Sequence, residues 1–208
     1  MSVIEVIEFL AVVVSALFGV LLAVRKEMDA AGVIAVALIV AFGGGTLRDL
    51  LLDRNPLFWI ERPHYPLIVF GIGLAASVAS HWVVKVERWL LIPDALGMGL
   101  FTVVGARYAL DSHTSLFLAS LFGVITGTFG GVLGDVVCNE VPSLFRPAPL
   151  NATCAFAGAW VFLFLHGMPL PPGVASASGT LFILLFRLLA VRFHWSLPPV
   201  AAKRGSPP

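Results

Sequence analysis

The sequence predicts an all-α, polytopic membrane protein of seven transmembrane helices, built as two inverted three-helix repeats plus a seventh helix. Three observations predict it. The 208 residues are 59% hydrophobic and only 12% charged, with a mean hydropathy of +0.97, whereas soluble domains carry roughly twice that charge fraction. Apolar stretches near the roughly 20 residues needed for a bilayer crossing follow one another along almost the whole chain. A glycine-rich phrase ending in aspartate occurs twice, once in each half.

The first span, at about 4–24, follows Met1-Ser2-Val3-Ile4-Glu5. That start lacks the positive region of a secretory signal, so the span is expected to be retained. The second, at about 32–52, carries Gly43-Gly44-Gly45-Thr46-Leu47-Arg48-Asp49. The third, at about 65–84, and the fourth, at about 90–110, flank a junction holding Lys85 and Arg88. The fifth, at about 115–138, carries Gly130-Gly131-Val132-Leu133-Gly134-Asp135, and the sixth lies at about 149–168. The seventh, at about 174–193, stands outside the repeat and returns the C-terminus to the side opposite the N-terminus. Residues 1–196 then form one transmembrane domain, and the proline-rich, polar stretch 197–208 is expected to be disordered. Trp59, Trp82, Trp89 and Trp195 fall near span ends, where aromatic rings anchor helices at the interface.

Lys/Arg asymmetry sets the expected orientation. With the N-terminus outside, the inner loops and tail carry eight basic residues (Arg25, Lys26, Lys85, Arg88, Arg146, Arg192, Lys203, Arg204) and the outer loops three (Arg54, Arg62, Arg107). The C-terminus is then cytoplasmic.

The repeat has an offset of 135 − 49 = 86 residues. At that offset Gly19 meets Gly105, Gly44 meets Gly130, Gly45 meets Gly131, Pro56 meets Pro142 and Pro63 meets Pro149, and acidic Glu8 meets acidic Asp94. Repeat one runs over about 4–84 and repeat two over about 90–168. An odd number of spans per repeat makes the second enter from the opposite side, giving a pseudo-two-fold axis in the membrane plane.

Adjacent glycines lower helix propensity by roughly 1 kcal/mol each relative to alanine. Gly43, Gly44 and Gly45 in the second span, and Gly130, Gly131 and Gly134 in the fifth, are therefore candidate hinges, with a kink or a broken turn expected. Carbonyls freed by a broken turn suit a partly dehydrated monovalent cation, and Thr46, Thr126 and Thr128 add hydroxyls nearby. The competing reading is that such small residues serve close helix packing, as in Gly123-x-x-x-Gly127.

Arg48, Asp49 and Asp135 lie about one turn inside their span ends, where an unpaired charge costs a few kcal/mol. Arg48 and Asp49 are neighbours, about 100° apart on a helix, and are expected to neutralise each other poorly. Arg48 is expected to pair across the repeats with Asp135, leaving Asp49 for another polar group. The plain alternative is that both acids tether helix ends. Gly134 occupies the place equivalent to Arg48, so the two halves differ chemically. Glu8 and Asp94, near span starts, read as acids favoured by the helix dipole.

Nothing suggests an enzyme or a bound cofactor. The five histidines are scattered without ligand spacing, Cys138 and Cys154 read as packed thiols, and no phosphate-binding loop with a lysine is present. No basic tract suggests nucleic acid.

The phrase from Gly43 to Leu52, followed by Asn55-Pro56 and Phe58-Trp59, closely resembles the signature of the bacterial branch of the TRIC (trimeric intracellular cation) channel family, also described as glycine-transporter-like. Asp94-Ala95-Leu96-Gly97 with Gly105-Ala106 resembles that family's fourth-span motif, and Gly130–Asp135 its fifth-span motif. The resemblance covers about residues 8–193. It implies a homotrimer in the cell (inner) membrane, surrounded by lipid. It also implies a pore in each subunit, lined by kinked second and fifth helices and permeable to monovalent cations, with potassium as the permeant ion and sodium a further candidate. Carried over by position, Gly44, Gly45, Gly130 and Gly131 are hinges, and Arg48, Asp49 and Asp135 line or flank the pore. Arg107 is the one candidate gating charge where animal members carry a Lys-Glu-Val motif. The alternative function is secondary transport of glycine or a similar zwitterion, with the acids meeting the ammonium and Arg48 or a half-helix N-terminus the carboxylate.

Overall fold

A computed structural model of the chain describes residues 2–79, 90–146, 149–171 and 173–198. Among these residues the fold is all-helical: α1 (Val3–Arg25), α2 (Ala30–Leu51), α3 (Phe58–Glu61), α4 (His64–Val78), α5 (Leu91–Asp111), α6 (Leu116–Val137), α7 (Ala152–His166) and α8 (Val174–Arg192). Helices α1, α2, α6 and α8 are long and apolar enough to cross a membrane, while α4 and α7 are shorter apolar helices. The four-residue α3 was not expected from the sequence. The end of the expected third span (80–84), Trp82 and Trp89 lie outside the described residues, as does the expected tail beyond Pro198.

The local signals explain where the helices begin. Ser2 and Glu5 form a capping box on α1. Asp29 accepts from the Gly32 N–H at 2.8 Å to open α2, and Ser115 accepts from the Leu118 N–H at 3.3 Å to open α6. The ends of α2 and α6 also match. Arg54 N–H donates to the Asp49 carbonyl and Glu140 N–H to the Asp135 carbonyl, both at 2.8 Å, around left-handed Asp53 (φ 52) and Asn139 (φ 57). These are Schellman closures in which a short polar side chain, not glycine, takes the left-handed position.

The sequence offset of 86 reappears in this geometry. α2 and α6 start at 30 and 116 and end at 51 and 137, 86 residues apart at both ends. The left-handed residues Glu27 and His113 after α1 and α5 are 86 apart too, as are Asp53 and Asn139.

α5 is the central helix, packed against α1, α6, α7 and α8, and α2 crosses α6 beside it. The packed interior is largely small: Ala11, Ala16, Ala37, Ala41, Ala95, Ala106, Ala109 and Ala159 are all closed to solvent. Large apolar side chains such as Leu67, Phe70, Leu74, Phe164, Leu181 and Leu185 point outward. That is the arrangement of helices whose solvent is lipid and whose association depends on close approach. Cys138 and Cys154 are buried free thiols, as expected.

The expected broken turn is absent. α2 and α6 run as continuous α-helix through Gly43–Gly45 and Gly130–Gly134, so no carbonyls leave the helical ladder there. The reason is packing across the α2–α6 crossing. A Cβ on Gly44 would lie 2.1 Å from the Thr126 carbonyl oxygen, and one on Gly130 would lie 2.4 Å from the Val40 carbonyl oxygen. The contacts are reciprocal, since 126 − 40 = 86 and 130 − 44 = 86. Backbone meets backbone, and the approach offsets the weak helix propensity of glycine. Gly43, Gly45 and Gly134 are filled by side chains instead, those of Leu133, Phe58 and Val40 respectively. Gly131 alone of the six is open, with Phe18 Cε1 at 3.7 Å its nearest neighbour.

This geometry separates neighbouring glycines. Gly130→Ala is expected to destabilise by about 1–3 kcal/mol through overpacking, because the obstacle is a backbone carbonyl. Gly131→Ala is expected to be tolerated. Thermal unfolding of the detergent-solubilised protein, followed by size-exclusion chromatography, measures both, and equal losses at the two positions would contradict the packing account.

Candidate functional site

Two polar regions lie on either side of the α2–α6 crossing. In the first, Glu8 (α1), Arg48 and Asp49 (α2) come together with side chains 0%, 0% and 1% exposed. Arg48 Nε donates to Asp49 Oδ1 at 2.8 Å, and Arg48 Nη1 faces Glu8 Oε1 at 3.5 Å. Asp49 Oδ2 accepts from the Phe58 N–H at 2.9 Å, and its Oδ1 also faces Arg54 at 3.7 Å. Arg62 pairs with Glu8 and donates to the Tyr65 hydroxyl at 3.0 Å. Aromatic rings close the cluster: the Arg48 guanidinium lies 4.4 Å from the Tyr108 ring centre and 5.2 Å from that of Phe58, and the Arg54 guanidinium 3.8 Å from Tyr108. Cation–π contact compensates part of the dehydration of the guanidinium groups.

This arrangement corrects two expectations. Arg48 pairs with its neighbour Asp49 and with Glu8, not with Asp135. The 100° between adjacent Cβ directions is overcome because a long arginine side chain folds back along the helix, bringing Nε to the carboxylate. Glu8 is likewise an ion-cluster centre and not simply a dipole-favoured acid near a helix start.

The second region is open. A cavity of about 370 Å³ is lined by α1, α5, α6 and α8, with Ser15, Phe18, Thr126, Thr128, Gly130, Gly131 and Asp135 among its walls. Thr126 and Thr128 donate to the carbonyls of Phe122 (2.6 Å) and Val124 (2.7 Å) within α6, and the Thr126 hydroxyl is seated against Gly105 of α5. Asp135 Oδ2 accepts from the Ser143 N–H at 3.0 Å, much as Asp49 accepts from Phe58. Both acids therefore tether the chain that follows their helix, while Asp135 also lines the cavity. Arg187 from α8 enters here, 3.6 Å from Asp94 Oδ2.

The other predicted residues lie apart from this cavity. The Thr46 hydroxyl accepts from Trp59 Nε1 at 3.0 Å on the opposite side of the crossing. Arg107 pairs with Asp111 at 3.2 Å and contacts His166 near the ends of α5 and α7. Outside the helices, Lys26 bonds to Glu140 and holds that carboxyl below its usual range. Arg62, Tyr65, Tyr108 and Arg187 were not foreseen. Arg187 had a legible signal, an ionisable residue within the seventh apolar span.

The comparisons with known proteins agree with this fold. The family model described as "Glycine transporter" matches twice, over residues 5–81 and 91–167. Its two matches begin 91 − 5 = 86 residues apart. Inner membrane protein YadS of Escherichia coli is 32% identical over 196 residues, 94% of this chain and 95% of that protein. A UPF0126 membrane protein of Vibrio cholerae is 36% identical over 206 residues, 96% of this chain and 84% of its own length. The solved TRIC trimeric intracellular cation channel orthologue from Rhodobacter sphaeroides superposes with a TM-score of 0.85 at 34% identity, covering 94% of this chain and 100% of that one. The chain belongs to the bacterial branch of the TRIC family. It is thus a multi-pass membrane protein, and the resemblance read from Gly43–Trp59 is confirmed.

Within this TRIC-family protein the Glu8–Arg48 contact has a testable energetic signature. Removing one partner of a buried pair costs about 3–5 kcal/mol, whereas removing both costs less. Arg48→Met and Glu8→Gln are each expected to lower the melting temperature markedly. The double variant is expected to fall short of their sum by at least about 1 kcal/mol. Additive losses in a thermal double-mutant cycle would show that the two side chains are not coupled.

Proposed function

We propose that the protein is a passive cation channel, permeable to potassium and to sodium, with one pore in each subunit running along the α2–α6 crossing. The single observation that carries this reading is the cavity that ends at that crossing. Its walls include Thr128 and the Asp135 carboxylate, oxygen groups of the kind that replace water around a monovalent cation, and the open face of Gly131 leaves room beside them. Past the cavity wall at Phe101 lies Phe58, at 6.5 Å between ring centres, and Phe58 carries Arg48. Arg48 with its aromatic cover then occludes the far half of the pathway, and conduction requires it to move. In this reading the glycines act as a slip plane between α2 and α6, not as broken turns.

The family context supports the same reading, because the Rhodobacter sphaeroides neighbour is a trimeric cation channel. By that likeness we place this chain as a homotrimer in the inner membrane, surrounded by lipid. We assign it seven crossings, with two inverted repeats and α8 outside them, and with the N-terminus outside and the C-terminus cytoplasmic. Arg107, away from both polar regions, is the remaining candidate gating charge. One charge crossing the whole field supplies only about 2.3 kcal/mol per 100 mV, so steep voltage dependence is not expected from it alone. The alternative is secondary transport of glycine or a similar zwitterion. It draws on the family model's description and on a cavity that combines Asp94 and Asp135 with Arg146 and Arg187.

Single-channel recording in planar bilayers under an asymmetric KCl gradient tests the reading. Unitary steps reversing near the potassium equilibrium potential are expected, and Asp135→Asn is expected to reduce their amplitude by on the order of twofold. A silent bilayer, with ion-coupled glycine uptake by the same preparation in liposomes, would replace the channel by a transporter. Unchanged currents in Asp135→Asn would leave that residue only its tether to Ser143.

A further inference from the structure

The offset of 86 residues makes Asp94 the counterpart of Glu8, since 94 − 8 = 86. Glu8 is held by Arg48, but the position equivalent to Arg48 is 48 + 86 = 134, which is glycine. The second repeat therefore contains an acid whose repeat-borne arginine is missing. The structure supplies one from outside the repeats. Arg187 of α8 places Nη2 at 3.6 Å from Asp94 Oδ2, close to the 3.5 Å between Arg48 Nη1 and Glu8 Oε1. Arg187 is only 7% exposed, and its Nη1 donates to the carbonyls of Pro149 (2.8 Å) and Leu150 (2.9 Å).

The two arginines differ in one respect that bears on conduction. Arg48 is wholly enclosed, whereas Arg187 and Asp94 both line the open cavity with Asp135, Arg146 and Arg25. A charge pair at the wall of a low-dielectric cleft controls the potential that a passing ion meets. With Arg187 in place, Asp94 is neutralised and contributes little attraction. With Arg187 replaced by a neutral side chain or displaced, Asp94 adds a second carboxylate to that of Asp135, which keeps its hydrogen bond from Ser143.

We propose that Arg187 is a selectivity-determining residue: it replaces the arginine missing from the second repeat, neutralises Asp94, and sets how strongly the cavity draws cations. The inference rests on the cavity being part of the ion pathway, as argued above. An alternative role for the same side chain is purely structural, tying α8 to the Pro149–Leu150 carbonyls, and the test must separate the two.

The experiment records the full-length wild type, Arg187→Gln, Arg187→Lys, Asp94→Asn and the Arg187→Gln/Asp94→Asn double variant in planar bilayers. Unitary conductance is measured in symmetric KCl at about 50 mM and about 1 M, where screening is weak and strong respectively, and reversal potential under a KCl gradient. Arg187→Gln is expected to raise low-salt conductance by about twofold and to move the reversal potential toward that of potassium. Asp94→Asn is expected to do the opposite, the double variant to return close to wild type, and Arg187→Lys to match it. All differences are expected to shrink at high salt. Wild-type conductance and reversal potential in every variant would overturn the proposal and leave Arg187 as a structural tie. Should Arg187→Gln fail to assemble, Asp94→Asn decides, because it keeps the arginine on its carbonyls; unchanged currents there overturn the proposal equally. A wild type that passes no current overturns the channel reading itself, and this inference with it.

Discussion

The structure depends on the backbone-to-backbone crossing of α2 and α6. Gly44 lies against the Thr126 carbonyl and Gly130 against the Val40 carbonyl, with no room for a methyl group at either position. In lipid there is little hydrophobic gain from bringing two apolar helices together, so attraction must come from close contact over a large area. Glycine makes that approach possible, at a cost in helix propensity that the contact offsets. Once α2 and α6 are this close, their C-terminal acids fall on opposite sides of the crossing. Asp49 then sits with Glu8 of α1, and Asp135 faces the cavity beside α5. The positions of both polar regions thus follow from four residues that carry no charge.

The duplicated scaffold also sets what is unequal. Caps, left-handed closures and acid tethers recur 86 residues apart, so the backbone of each half solves the same problem. Chemistry diverges where the first half has Arg48 and the second has Gly134. A guanidinium filling the space between Glu8, Asp49, Phe58 and Tyr108 closes one half. The equivalent place in the second half is filled differently, with Val40 and Leu22 closing on Gly134, and the cavity opens beside it, along Gly130, Gly131 and Asp135. The arginine-to-glycine difference therefore changes which side chains fill that place while the helical frame stays nearly the same.

Much of this was legible in the residues, for physical reasons. Spans of α1, α2, α6 and α8 could be read because lipid selects length and apolarity directly, and the ends of α2 were placed within about two residues. The repeat could be read because glycine and proline positions are fixed by backbone geometry and survive in register. Pairing could not. Arg48 was expected on Asp135 because sequence offers Cβ directions but not the path of a five-bond side chain, which in fact folds back onto Asp49. The broken turn was expected because propensity is a local quantity, while the carbonyl that occupies the space beside each glycine belongs to another helix. Arg62 reaches Glu8 from a loop, with Tyr65 at the start of α4 accepting from it, and nothing in a one-dimensional pattern brings residue 62 to residue 8.

The cavity's mixed charge bears on whether such a protein conducts or carries. A transporter needs both signs free, so that each end of a zwitterion finds a partner. Here Arg187 is already committed to Asp94 and to two carbonyls, and Arg48 to two carboxylates. Asp135 accepts from Ser143 with one oxygen and lines the cavity. Arg187 is therefore engaged with the framework, while the Asp135 carboxylate and Thr128 lie in the cavity wall. In the proposed channel reading, Arg187 is tied to the framework and Asp135 meets the passing cation, while Arg146 in the same wall is the charge that opposes it.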